Sequence, residues 1–215
     1  MLFRSLAYLA PRAAGQTWYP YSFLAPLADN EPGLSSGLAM LDALLASLET
    51  QGIGPERAVL LGFSQGACLS LELAARRARR YGGIAGLSGG LIGPPGTERR
   101  YAGSLAGTPV LLGCSDRDPH IPRWRVDETA EVLAALGARV DERIYPAMGH
   151  TINEDELERV RRMLANVADI ANIANIANVA NAAPAAAGAA GVTEVGAAGA
   201  GAAPVPSPAG EPEGA

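Results

Sequence analysis

The sequence predicts an α/β fold, a mostly parallel sheet with helices on both of its faces. Short segments rich in Val, Ile and Leu alternate along the chain with longer segments of helical periodicity. Strands and helices that alternate in this way form a parallel sheet, because each helix carries the chain back across one face. A second observation is a serine between two glycines, Gly62-Phe63-Ser64-Gln65-Gly66, at the junction of a predicted strand and a predicted helix.

The elements follow in order from the N-terminus. Residues 6–9 are predicted to form a short strand that ends before Pro11, and a loop rich in aromatic residues and prolines follows. Ser35 or Ser36 is the expected cap of a helix that reaches about residue 50 and carries its leucines on one stripe. Further strands are expected at residues 57–61, 83–88, 109–113 and 138–145, and further helices at residues 67–80, 124–136 and 154–168.

The chain is predicted to contain one domain, residues 1–168, and a low-complexity tail, residues 169–215. A length of 215 residues with 48% hydrophobic residues is enough for one sizeable core. From Ala165 the sequence repeats Ala-Asn-(Val/Ile), and on a helix a three-residue repeat turns by about 300°, so its β-branched positions form no stripe. The remainder is rich in Ala, Gly and Pro. We therefore expect the tail to be disordered.

Charge and hydropathy exclude several classes of function. The net charge of −5 and the pI near 5.1 argue against a nucleic-acid partner. No apolar run reaches the eighteen or so residues that a membrane-spanning helix needs. The two cysteines lie in apolar runs and suggest no disulfide framework, as expected for a protein of a reducing compartment. We expect a cytoplasmic protein.

Ser64 is the candidate nucleophile. A tight turn between a strand and a helix holds a serine in a strained backbone conformation with its Oγ exposed above the sheet, and Gly62 and Gly66 would let the two elements pack closely. The alternative is a purely structural turn, because the five-residue pattern also arises by chance in chains rich in Gly and Ser.

His150 and Asp118 are the candidate base and orienting acid. A serine hydroxyl needs a base within hydrogen-bond reach, and His150 follows the last predicted strand on a loop. Asp116 and Asp118 both follow the strand at residues 109–113; we favour Asp118 for the acid and expect Asp116 to cap its own turn. His120 could act only as a metal ligand, but no second ligand stands at suitable spacing, so no metal site is predicted.

Aromatic residues cluster in the loop after the first predicted strand. Trp18, Tyr19, Tyr21 and Phe23 could line an apolar pocket beside Ser64. They could equally form a small satellite core beneath a long loop. The sequence leaves both alternatives open.

Three motifs resemble the phospholipase/carboxylesterase family of α/β-hydrolases, which includes the acyl-protein thioesterases. They are Gly62-Phe63-Ser64-Gln65-Gly66-Ala67, Asp118-Pro119-His120-Ile121-Pro122 and Gly149-His150, and the likeness covers about residues 6–164. The resemblance implies that Ser64, Asp118 and His150 are nucleophile, orienting acid and base. It also implies hydrolysis of small-molecule carboxylic esters, and in some members thioesters or lysophospholipids, without a cofactor.

The resemblance also implies an oxyanion hole with two backbone donors. One is the N–H of Gln65, and the family supplies the other from a His-Gly loop that ends an earlier strand. The chain starts at what resembles the next strand, so we expect an α/β-hydrolase fold that is truncated at its N-terminus. Two functions follow as alternatives: a serine hydrolase that works through an acyl-enzyme, or a catalytically impaired remnant or binding protein of the same fold.

Overall fold

A computed structural model describes residues 6–181 of the chain, and the side chains of residues 6–168. The strands are β1 (Val59–Phe63), β2 (Gly83–Leu87), β3 (Pro109–Ser115) and β4 (Arg139–Tyr145). The longer helices are α1 (Gly33–Thr50), α2 (Gln65–Arg76), α3 (Arg123–Ala135) and α4 (Glu154–Asn181). The four strands pair in parallel in the order β1-β2-β3-β4. The predicted α/β architecture, a parallel sheet with helices, is thus confirmed.

Helices cover both faces of the sheet. Successive side chains of a strand point to opposite faces, and the residues of β3 alternate accordingly between two apolar clusters. Val110 and Leu112 pack in the larger cluster, to which α1, α2 and α3 contribute. Leu111 lies in the smaller cluster with Val160 and Met163 of α4. Because the four strands are parallel, their carboxyl ends lie at the same edge of the sheet. The loops at this edge carry the candidate site.

The predicted strand at residues 6–9 is wrong. This segment is irregular, and Tyr8 and Leu9 are 70% and 54% exposed. A segment becomes a strand only by pairing its backbone with a neighbour, and within residues 6–181 β1 pairs with β2 alone. Among the described strands β1 therefore forms an edge of the sheet, and Leu61 is 50% exposed there.

Two helix boundaries also differ from the prediction. Helix α1 begins at Gly33, and its first turn is capped by the carboxylate of Glu31, which accepts hydrogen bonds from the N–H and hydroxyl of Ser35. These bonds lower the pKa of Glu31 below its ordinary value. Helix α2 ends at Arg76, since Arg77 leaves the helical conformation.

The last helix extends into the segment predicted as a tail. Helix α4 continues to Asn181, while residues 182–215 lie outside the described part of the chain. The predicted division into a domain and a disordered tail stays a prediction. Among the described helices, none is both long enough and apolar enough to cross a membrane.

Candidate active site

Ser64 lies between the end of β1 and the first residue of α2. Its backbone has φ 54° and ψ −121°, a left-handed conformation that an L-residue with a side chain adopts only under strain. A Cβ on Gly62 would stand 2.2 Å from the carbonyl oxygen of Gly66, so the turn folds back on itself too tightly for any other residue there. A Cβ on Gly66 would meet nothing within 4 Å among the described residues. Close packing therefore requires the first glycine, and the expectation for Gly66 is wrong.

His150 contacts both Ser64 and Asp118. It lies in the loop between β4 and α4, with its Nε2 3.0 Å from Ser64 Oγ and its Nδ1 2.8 Å from Asp118 Oδ2. In the tautomer that this arrangement favours, the Nδ1–H donates to the carboxylate and Nε2 accepts from the serine hydroxyl. The His150 side chain is 19% exposed and that of Asp118 is fully buried. The structure thus brings the three predicted side chains together at the carboxyl edge of the sheet.

Asp118 is held as a carboxylate. Burial alone would raise its pKa, but hydrogen bonds from His150 and from the backbone N–H groups of His120 and Ile121 outweigh burial and lower the pKa below the ordinary value. The two N–H groups bind Oδ1 at 2.8 and 3.0 Å, and Oδ2 accepts from the imidazole and, at 3.8 Å, from the thiol of Cys114. Asp118 therefore stays ionised to a lower pH than an ordinary aspartate.

Two further side chains at the end of β3 hold the loop that carries His150. Asp116 Oδ1 accepts a hydrogen bond of 2.7 Å from the N–H of Ala147, and Ser115 Oγ accepts one of 3.0 Å from the N–H of Gly149. Asp116 was expected to cap its own turn; it instead bonds across to the neighbouring loop, because parallel strands end side by side. Sequence reasoning gave no role to Ser115, and no local pattern signals one.

The side chain of Gln65 ties the loop at residues 17–19 to the turn at Ser64. Its Oε1 accepts from the N–H of Trp18 at 3.0 Å, and its Nε2 donates to the carbonyl oxygen of Tyr19 at 3.0 Å. The hydroxyl of Thr17 lies 3.3 Å from Oε1. As the first residue of α2, Gln65 has a backbone N–H without an acceptor inside the helix.

Removal of this amide is expected to destabilise the protein. In Gln65→Leu the N–H of Trp18 loses its acceptor, and the carbonyl oxygen of Tyr19 keeps only the Thr17 hydroxyl as a donor, so we expect the free energy of unfolding to fall by about 1–3 kcal/mol. Urea unfolding monitored by tryptophan fluorescence measures this. Gln51→Leu, at an exposed glutamine just after α1, is the matched control: it removes only exposed hydrogen bonds to Ser47 and should change stability by less than about 0.5 kcal/mol. Equal stabilities of the Gln65 variant and the wild type would contradict the expectation.

The aromatic residues of this loop separate into two environments. Tyr19 and Phe23 are 1% and 5% exposed and pack in the larger core cluster, which favours the satellite-core alternative for them. Trp18 is half-buried against that cluster beside Gln65, and Tyr21 is 62% exposed. A pocket lined by Trp18 therefore stays open as a prediction, whereas Tyr19 and Phe23 support the loop from below.

Glu156 is a buried carboxyl at the start of α4, directly after the His150 loop. Its Oε2 accepts from the N–H of Asn153 at 2.8 Å, and Asn153 Oδ1 accepts from the N–H of Glu156 at 2.9 Å, a reciprocal cap. Within residues 6–168, its other oxygen is buried beside Gly113 without a hydrogen-bond partner. Burial raises the pKa of Glu156 above its ordinary value.

The raised pKa of Glu156 predicts a loss of stability as the pH rises. A group whose pKa is higher in the folded state stabilises that state below its unfolded pKa and loses this contribution as it ionises. Glu156→Gln keeps the cap and cannot ionise, so the difference in free energy of unfolding between this variant and the wild type should shift in favour of the variant from pH 5 to pH 8. Chemical denaturation at both values measures this. Glu154→Gln, at an exposed glutamate of the same turn, should show no such dependence.

Two aromatic rings lie against the imidazole of His150. The ring centroids of Phe63 and His120 are each 4.8 Å from that of His150, with the His120 ring nearly edge-on at 72°. Phe63 is 38% exposed, and His120 is exposed as well. Sequence reasoning considered His120 only as a metal ligand. The described residues contain no group of three or more His, Cys, Asp or Glu side chains that could hold a metal ion.

The sequence and the fold are similar to those of known proteins. The sequence model of the phospholipase/carboxylesterase family matches residues 7–168 of the chain. The chain belongs to the phospholipase/carboxylesterase family. A crystal structure of a phospholipase/carboxylesterase from Dyadobacter fermentans is 43% identical, with a TM-score of 0.70 over 72% of this chain and 74% of that chain. The family resemblance inferred from the three motifs is thus confirmed.

Two further proteins are also similar to this chain. Acyl-protein thioesterase 1 of Gibberella zeae is 37% identical over 119 residues, which is 53% of this chain and 49% of that protein. A carboxylesterase from Bacillus cereus, 19% identical with a TM-score of 0.55 over 68% of each chain, shares the fold. The chain spans about half the length of the thioesterase that it matches.

Proposed function

We propose that this chain is a serine hydrolase that cleaves carboxylic esters through an acyl-enzyme. The observation that carries the proposal is the continuous contact from Asp118 through His150 to Ser64, at 2.8 and 3.0 Å. The strained backbone of Ser64 supports it, because such strain is stored at functional sites when the surrounding fold enforces it. The family also supports it, since relatives carry the names phospholipase/carboxylesterase and acyl-protein thioesterase.

In the first half of the proposed reaction, Ser64 Oγ forms a bond to the carbonyl carbon of the ester. His150 Nε2 accepts the hydroxyl proton, and Asp118 stabilises the resulting imidazolium. The N–H of Gln65 donates to the oxyanion of the tetrahedral intermediate. The bond from the acyl carbon to the leaving oxygen then breaks, and His150 gives its proton to that oxygen.

The second half repeats these steps with water. His150 accepts a proton from water, the water oxygen bonds to the acyl carbon, and Ser64 Oγ leaves and regains its proton from His150. A carboxylic acid is released. The same residues would cleave a thioester, where a thiol replaces the alcohol as leaving group, and the thioesterase relative supports this second class of substrate.

The alternative function is a hydrolase-fold protein without significant turnover. One observation favours it: within residues 6–181, Gln65 is the only oxyanion donor that we assign, beside a strand at the edge of the described sheet. Loss of one oxyanion donor lowers kcat by about 10²–10³-fold. Such a protein would keep a reactive serine while turning over esters slowly.

Two measurements on the full chain test the proposal. Hydrolysis of p-nitrophenyl acetate, butyrate and octanoate measures turnover, and labelling by a fluorophosphonate probe measures whether Ser64 is nucleophilic. We expect both. Labelling without turnover would favour the impaired alternative, and a folded chain that neither labels nor hydrolyses would overturn the proposal.

A further inference from the structure

His120 is an exposed imidazole that the proposed reaction does not use, although it contacts the ring of His150. The two ring centroids are 4.8 Å apart and the rings meet at 72°. An exposed histidine in edge contact with the proposed general base lies where a substrate group bound to that base would also lie.

The position of His120 is fixed by the same carboxylate that orients His150. Asp118 Oδ1 accepts the backbone N–H groups of His120 and Ile121, while Oδ2 accepts the Nδ1–H of His150. Pro119 and Pro122 flank this short segment and restrict its backbone further. The buried Asp118 carboxylate therefore holds both the backbone of His120 and the ring of His150, which keeps position 120 close to the proposed base.

The leaving group of the ester must approach the His150 ring. His150 Nε2 delivers a proton to the leaving oxygen, so that oxygen lies within hydrogen-bond reach of Nε2. Because the His150 side chain is partly exposed, the remainder of the alcohol can extend past this ring toward the exposed side chains that contact it. These side chains are Phe63, which is apolar, and His120, whose imidazole can donate an N–H.

We propose that His120 binds the leaving group by donating its imidazole N–H to a hydrogen-bond acceptor on the alcohol or thiol portion of the substrate. This inference rests on the proposed hydrolase function and deepens it. The preferred substrates are then esters or thioesters whose leaving group carries a carbonyl or carboxylate a few bonds from the reacting oxygen or sulfur. Plain alkyl leaving groups contact Phe63 but gain nothing from His120.

Two esters with the same acyl group and leaving groups of similar size test this inference. Carbamoylmethyl butyrate has a carbonyl acceptor in its leaving group, and propyl butyrate has none. In His120→Phe, which keeps an aromatic ring beside His150, we expect kcat/KM to fall about tenfold for carbamoylmethyl butyrate, the worth of one hydrogen bond, and less than twofold for propyl butyrate. His120→Gln retains an N–H donor and should recover most of the loss.

Burst kinetics with p-nitrophenyl butyrate distinguish binding of the leaving group by His120 from a merely structural role of His120. The leaving group has departed before deacylation, so the deacylation rate constant should be the same in the wild type and His120→Phe. Equal losses on both esters, or a slower deacylation, would assign His120 to general support of His150 and overturn the inference. Unchanged hydrolysis of carbamoylmethyl butyrate would also overturn it. If the wild type hydrolyses neither ester and takes up no fluorophosphonate, the proposed hydrolase function itself fails.

Discussion

Replacement of Ser64 by alanine is expected to lower kcat for p-nitrophenyl butyrate by about 10⁶-fold, the loss that follows removal of the nucleophile from a serine triad. Without Oγ no acyl-enzyme forms, and His150 and Asp118 have no nucleophile to activate. The wild type should also incorporate one fluorophosphonate per chain, and Ser64→Ala none. The remaining rate reports only background hydrolysis.

The control for this experiment is Ser47→Ala, at an exposed serine of α1 on a different part of the fold. It should label and hydrolyse as the wild type does. Equal rates for Ser64→Ala and wild type would remove Ser64 from the mechanism, whatever the other variants showed.

Asp118→Asn is expected to lower kcat by about 10⁴-fold with little change in KM. The amide can still accept the N–H groups of His120 and Ile121, so the loop should keep its shape. It cannot stabilise an imidazolium, and it favours the tautomer with the proton on Nε2, which cannot accept from Ser64. Rates with p-nitrophenyl butyrate, together with the melting temperature of each variant, measure the effect.

Asp116→Asn is the matched comparison, two residues away on the same loop. Its Oδ1 can still accept the N–H of Ala147, so kcat should fall by less than about tenfold. This pair of variants distinguishes the two carboxylates that the sequence offered. A larger loss in Asp116→Asn than in Asp118→Asn would reverse the assignment of the orienting acid.

The sequence predicted those parts of the site that depend on a reactive type of side chain or on a pattern of neighbouring residues. The sequence offers one serine between glycines at a strand end, one histidine after the last strand and two aspartates after β3. Few side chains could therefore form the proposed catalytic group, and in the structure His150 contacts both Ser64 and Asp118. The alternation of strands and helices predicted the architecture for a similar reason, because periodicity is a local property.

The remaining features depend on distances between loops that no local pattern encodes. Three contacts join residues that are far apart in sequence. They are the hydrogen bond between Asp116 and Ala147, the hydrogen bond between Gln65 and Trp18, and the ring contact of His120 with His150. The strand predicted at residues 6–9 failed for a related reason. Apolar residues are compatible with a strand, but a strand forms only when its backbone pairs with a neighbouring strand. The sequence of the segment itself does not show whether such a neighbour is available.

Three side chains at the end of β3 form hydrogen bonds to the neighbouring loop, residues 145–150. Ser115 and Asp116 hold its backbone, and Asp118 holds its imidazole. Because Ser115 and Asp116 bond to backbone N–H groups, a chimaera that exchanged residues 145–150 with those of a relative would keep these bonds only if the new loop followed the same backbone path and had no proline at positions 147 and 149. Residues 115–122 and 145–150 therefore form one structural unit, and libraries that vary one of these segments should vary the other with it.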